Sequence, residues 1–149
     1  MCIIKKGNKV FYVEKNGAKK RTRPKVSGSP EGIQITLKKA TSELMVLFML
    51  RKKPMYTYEL MNEISQRSDG EITFNTMYLT IYRLQEHEYI REHSKVMSED
   101  NRTRIYFTIT ETGEAYLEEI MKGYRQYILA LERVLEYPWG GAPEENSDS

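Results

Sequence analysis

The sequence predicts a mainly α chain of the α+β kind: three short helices, a two-stranded hairpin and one long helix. Three observations predict it. Apolar residues recur at helical spacing over residues 41–53, 57–67 and 75–87. Two β-like runs, 89–96 and 104–110, flank the polar turn MSEDNRT. A last segment, 111–136, keeps an unbroken 4-3-4-3-4 apolar spacing. With 149 residues and 40% apolar or aromatic content, the chain holds enough for one small core and not for two large ones.

Residues 1–35 read as a basic arm. They hold nine Lys and Arg against Glu14 and Glu31, a charge of +7, while residues 36–137 carry −2 and the tail 138–149 carries −3, within a net +2. Val10 to Val13 is β-like and precedes Asn16-Gly17, a type I′ turn signal, and Gly7-Asn8 offers another turn. A short β-hairpin and a flexible tail are both open readings of this arm. SGSPEG, residues 27–32, reads as a linker.

The first helix, 41–53, contains ELMVLFML, apolar almost all round and therefore buried on more than one side; Lys52, Lys53 and Pro54 end it. The second, 57–67, turns Leu60, Met61 and Ile64 inward and Glu59, Glu63 and Arg67 outward. In the third, FNTMYLTIYRLQEHEYI, Asn75 is the expected N-cap, with Phe74 and Leu79 as a hydrophobic staple across it. Met77, Ile81 and Leu84 face inward, and Thr76, Thr80, Arg83 and His87 share the opposite face. In the second strand Ile105, Phe107 and Ile109 alternate with Arg104, Tyr106 and Thr108.

The long helix spaces Leu117, Met121, Tyr124, Ile128, Leu131 and Leu135 as a heptad seam, which Ile120, Tyr127 and Val134 widen. A stripe this wide on so small a domain predicts a partner helix, most simply the same helix of a second copy; folding back on the first helix is the alternative. Beyond Pro138 the tail is expected to be disordered and acidic.

Helix, helix, helix, hairpin, long helix is the order of a winged helix-turn-helix. There the third helix, about 75–87, enters the DNA major groove, and the wing, 96–104, lies on the backbone or minor groove. The expected domains are the arm 1–35, the winged-helix unit 36–110, the dimerisation helix 111–137 and the tail 138–149. The segments SELMVLFMLRKKPMYTYELMNEIS, FNTMYLTIYRLQEHEYI and NRTRIYFTITETGEAYL resemble the PadR-like transcriptional regulators over about residues 40–136. Pro54-Met55 with Tyr58-Glu59-Leu60, Thr76-Met77-Tyr78, and Thr110 with Gly113 carry the likeness. Two positions depart from it: Leu79 stands where the family has proline, and Glu88 where it has glycine before the first wing strand. The resemblance implies a dimeric repressor of double-stranded DNA, with a small aromatic effector between the long helices in some members. Tyr116, Tyr124 and Tyr127 are the residues to line such a pocket, or else to pack as core.

The expected DNA contacts are Thr57, Asn75, Thr76, Tyr78, Thr80 and Arg83 on the helices, Lys95, Arg102 and Arg104 on the wing, and Lys19, Lys20, Arg21 and Arg23 on the arm. Each has an ordinary role beside it: capping for Asn75, packing for Tyr78, a solvated charge for Arg83, a solubilising tail for the arm. Glu99 and Asp100 weaken the wing's positive field. His87 and His93 lack metal-ligand spacing, Cys2 is the only cysteine, and there is no phosphate loop or serine elbow, so neither catalysis, metal nor cofactor is expected. Single cysteine use, the lack of an apolar leader and the short longest apolar run predict a cytoplasmic, nucleoid-associated protein without a membrane span. Two other readings stay open: an architectural duplex binder of little sequence preference that uses the arm, and a winged-helix module that binds protein.

Overall fold

The computed structural model describes residues 2–6, 9–13 and 28–136, and divides the chain at residue 37 into two units. In the first, β1 (Cys2–Lys6) pairs antiparallel with β2 (Lys9–Val13), from Cys2 opposite Val13 to Lys6 opposite Lys9. The turn signals Gly7-Asn8 and Asn16-Gly17 both lie outside the described residues.

Helix α1 spans Pro30–Lys52, eleven residues earlier than its predicted start at 41, and so runs across the predicted boundary at 35/36. Residues 30–32 of the segment expected as a linker are its N-terminal residues. Ser29 Oγ accepts the Gly32 N–H at 3.1 Å, Pro30 takes the first helical position and Glu31 stands in the positive first turn.

The second unit continues with β3 (Met55–Tyr56), α2 (Thr57–Arg67), α3 (Tyr78–Glu86), β4 (Ile90–Met97), β5 (Thr103–Ile109) and α4 (Glu111–Leu135). The sheet has three strands in the order β3-β5-β4, all antiparallel, so the wing carries one strand more than the sequence suggested. β3 follows Pro54 and pairs Met55 with Phe107 and Tyr56 with Tyr106, which pins the start of α2 against the wing. The register slips between Glu92 and Ser94, a bulge at His93 that twists the outer strand. Val46, Leu47 and Leu50 of α1, Leu60 of α2, Leu84 of α3 and Leu117 of α4 meet in one core, all essentially shut off from solvent.

Two tight joins hold the frame. After α3, Glu88 takes φ +58°. The Glu88 N–H donates to the Gln85 carbonyl at 2.9 Å and the Tyr89 N–H to the Leu84 carbonyl at 2.9 Å. This is a Schellman ending, in which the left-handed residue is ordinarily glycine. The join keeps the geometry a glycine would give although Glu88 occupies it. The Glu88 carbonyl is then held by the hydroxyls of Thr110 at 2.7 Å and Thr112 at 3.1 Å. Thr110 also caps α4, its Oγ1 accepting the Gly113 N–H at 3.0 Å. At Gly113 a Cβ would sit 2.0 Å from the Tyr89 carbonyl oxygen, so the glycine is required by this crossing of α4 over the helix-to-strand turn.

Candidate nucleic-acid interface

The inner face of α3 follows from its sequence: Met77, Ile81 and Leu84 are buried against α1 and α2 residues of the core. Its beginning does not. The helix starts at Tyr78 with Met77 at the cap, and no side chain caps it. Asn75 is exposed and not the N-cap; instead the Tyr78 N–H approaches Thr76 Oγ1 at 3.4 Å. Leu79 is 78% exposed, so the predicted staple with Phe74 does not form.

Thr80 is the main correction. Predicted on the reading face, it is only 7% exposed, and its Oγ1 donates to Ser42 Oγ at 3.1 Å, which donates in turn to the Lys39 carbonyl at 3.0 Å. A threonine one residue before Ile81 sits on the flank of the inner stripe, and a hydroxyl partner on α1 lets it stay there. It is therefore closed to any ligand. The residues that do face out are Tyr78, Leu79, Tyr82, Arg83 and Glu86.

A trough of about 810 Å³ runs between this face and the wing. Tyr78, Tyr82 and Gln85 of α3 line one wall, Tyr56, Thr57 and Tyr58 the start of α2, and Arg102, Thr103 and Arg104 the wing. Tyr56 is edge-on to Tyr106, with ring centres 5.3 Å apart, and carries the Arg104 guanidinium over its face at 4.9 Å. Tyr56, Tyr58, Tyr82 and Gln85 were not among the DNA contacts expected from the sequence. The signal was present, since Tyr78 and Tyr82 are one turn apart on a face that Ile81 does not use.

The wing tip is a three-residue turn closed by Asn101 at φ +59°, with the Asn101 N–H donating to the Ser98 carbonyl and the Ser98 N–H to that of Arg102, both at 2.9 Å. Arg102 projects from it and Arg104 follows on β5, and Asp100 lies 3.7 Å from the first and 3.9 Å from the second. A hydrogen bond from the Ser98 hydroxyl, helped by the Arg104 charge, holds the Asp100 carboxyl below its ordinary range. Lys95 pairs with Glu92 at 3.2 Å on the outer strand. Of the predicted contacts, Thr57, Tyr78, Arg102 and Arg104 meet around one trough, whereas Asn75, Thr76 and Lys95 are exposed beside it.

Arg83, the only cation of α3, is not free. Its Nε lies 3.3 Å from Glu43 Oε1 on α1, and the other Glu43 oxygen accepts the Tyr116 hydroxyl from α4 at 3.2 Å. One carboxylate thus ties three helices. Tyr116 stacks on Tyr89 at 4.2 Å, and burial with the Glu43 charge pushes its hydroxyl above the usual phenol range. These contacts engage Tyr116 within its own protomer.

The seam of α4 divides. Leu117, expected at a dimer interface, is 0% exposed within its own protomer and has nothing left to offer a partner. Met121 packs at the core's edge, Ile128 and Leu131 are half-buried, and Tyr124 and Leu135 are exposed. Tyr127 and Val134 beside them are exposed too. Leu44, Met45, Phe48 and Met49 of α1 and Met121, Tyr124 and Arg125 of α4 enclose a groove of about 330 Å³. Lys19, Lys20, Arg21 and Arg23, and the tail 138–149, lie outside the described residues. Among the described residues no three His, Cys, Asp or Glu side chains are placed to hold a metal, and no helix is long and apolar enough to cross a membrane.

Comparison with known proteins agrees with this architecture. A family described as transcriptional regulator PadR-like matches residues 46–119. An uncharacterized protein of Lysinibacillus sphaericus is 33% identical over 84 residues, which cover 55% of this chain and 76% of that one. Among solved structures, a PadR-like transcriptional regulator of Bacillus cereus is similar with a TM-score of 0.57 at 20% identity, over 69% of this chain and 99% of that one. A PadR family regulator of Eggerthella lenta gives 0.58 at 20% identity, over 70% and 87%. One from Clostridium difficile gives 0.52 at 25% identity, over 64% and 98%.

Proposed function

Since the chain belongs to the PadR-like family of transcriptional regulators, DNA-binding proteins rather than enzymes, we propose that it is a homodimeric repressor that reads a pseudo-palindromic operator. The observation that carries this is the trough in which the outer face of α3, the start of α2 and the wing arginines converge. A helix entering the major groove needs a protruding side-chain face and backbone-contacting cations on its flanks, and this arrangement offers both. Tyr78 and Tyr82 present ring faces and hydroxyls to the groove, Thr57 meets the backbone at the start of α2, and Arg102 and Arg104 approach phosphate or the minor groove. Asn75, Thr76 and Lys95 flank this surface, and the arm's Lys19, Lys20, Arg21 and Arg23 add phosphate affinity in the nucleoid.

Dimerisation is the second part of the proposal. The distal stripe of α4, Tyr124, Tyr127, Ile128, Leu131, Val134 and Leu135, supplies an apolar surface that a second copy of the helix covers. The groove at Leu44, Phe48 and Tyr124 adjoins it and is the place for a small aromatic effector. The test is selection from a pool of random duplexes at two salt concentrations. The full chain is compared with a variant in which Lys19, Lys20, Arg21 and Arg23 are alanine. An enriched palindrome retained by both supports the proposal. Binding without enrichment, lost with the arm's charges, would instead make the protein architectural.

A further inference from the structure

We propose that Leu79 is a specificity-determining residue that selects a thymine in each half-site by packing on its 5-methyl group; this rests on the DNA reading above. Leu79 is the second residue of α3, and Tyr78 and Leu79 are among the most exposed large side chains of the chain. Recognition helices present their N-terminal residues to base edges, so these two side chains lead into the groove. Leucine has neither donor nor acceptor. The only methyl group on the floor of the major groove is that of thymine, which makes it the feature by which Leu79 can tell thymine from the other bases.

The rest of the face points the same way. Guanine is most often read by a bidentate arginine or lysine, and the single cation of α3, Arg83, is engaged by Glu43. Glu86 accepts the Tyr82 hydroxyl at 3.3 Å. Tyr78, Leu79 and Tyr82 are contiguous and exposed, with Tyr58 of α2 also exposed across the trough. The exposed face of α3 is therefore dominated by apolar and aromatic surface, and a site that buries it must offer apolar surface in return.

The test replaces thymine by deoxyuridine, one position at a time, in the duplex that the chain selects from the random pool. Deoxyuridine pairs as thymine does and lacks only the methyl group. For the unaltered chain, one position per half-site should lose about fourfold in affinity, and the symmetric double replacement about fifteenfold. Leu79→Ala, at an exposed position, should bind the thymine duplex more weakly and should no longer distinguish it from the deoxyuridine duplex. A flat scan, or an equal deoxyuridine penalty in Leu79→Ala, would overturn the assignment while leaving the regulator reading intact. A pool that yields no enriched duplex would overturn both.

Discussion

Leu117 is shut inside the protomer's core, while Val134, seventeen residues later on the same helix, is 78% exposed. Both belong to one apolar stripe that runs without a slip from Leu117, in the second turn of α4, to its last turn. The proximal half spends that pattern on its own chain: Thr110 caps it, Gly113 lets it cross the Tyr89 carbonyl, Arg51 of α1 reaches Glu114 at 2.7 Å and Glu118 at 2.6 Å, and Leu117 fills the core. The distal half meets no such frame among the described residues. A heptad period says that a stripe will be covered; which molecule covers it depends on where the rest of the chain stops.

Substitutions in α4 sharpen this contrast. The largest effect is expected at Gly113→Ala. Glycine to alanine inside a helix ordinarily stabilises by about 0.5–1 kcal/mol, but here the new Cβ meets the Tyr89 oxygen. Urea unfolding should show a loss of about 3 kcal/mol or more, because α4 has to lift away from the wing join. Gly123→Ala is the control: nothing lies within 4 Å of its Cβ position, and the same chemical change should stabilise. If both variants lost stability alike, the close crossing would be wrong.

The next pair separates core from interface. Leu117→Ala should cost about 2–5 kcal/mol in unfolding and leave the mass of the folded species unchanged by light scattering. Val134→Glu should do the reverse, halving the mass at micromolar concentration while circular dichroism stays that of a folded chain. A Val134→Glu protein that kept the mass of the unaltered chain would break the assignment of the distal half to a partner. The smallest effect is expected at Glu88→Gly. Removing a side chain from φ +58° should raise stability by about 0.5–1 kcal/mol, measured by urea midpoint.

The parts that were legible in the sequence are those where one period governs one surface. The inner face of α3, the alternation in β5 and the length of α4 followed from spacing alone. What was not legible depended on contacts distant in sequence. Thr80 looked outward because nothing local reveals that Ser42, thirty-eight residues earlier, offers it a hydroxyl. Arg83 looked free because Glu43 is on another helix. The early start of α1 was a different failure: Ser29-Pro30-Glu31 is a complete helix-start signal, outweighed by the flanking glycines. Leu79 was assigned to a staple because its neighbour pattern fitted one; with the helix starting at Tyr78 it is the second helical residue rather than the fourth, and it faces solvent.

The most direct test of the whole account is amide hydrogen exchange on the full chain with and without its selected duplex. The two-surface account predicts slowed exchange at the start of α2, around residues 76–82 and across the wing turn 98–104, with the distal half of α4 unchanged by DNA. Protection confined to the groove between α1 and α4, with α3 and the wing unaffected, would contradict it.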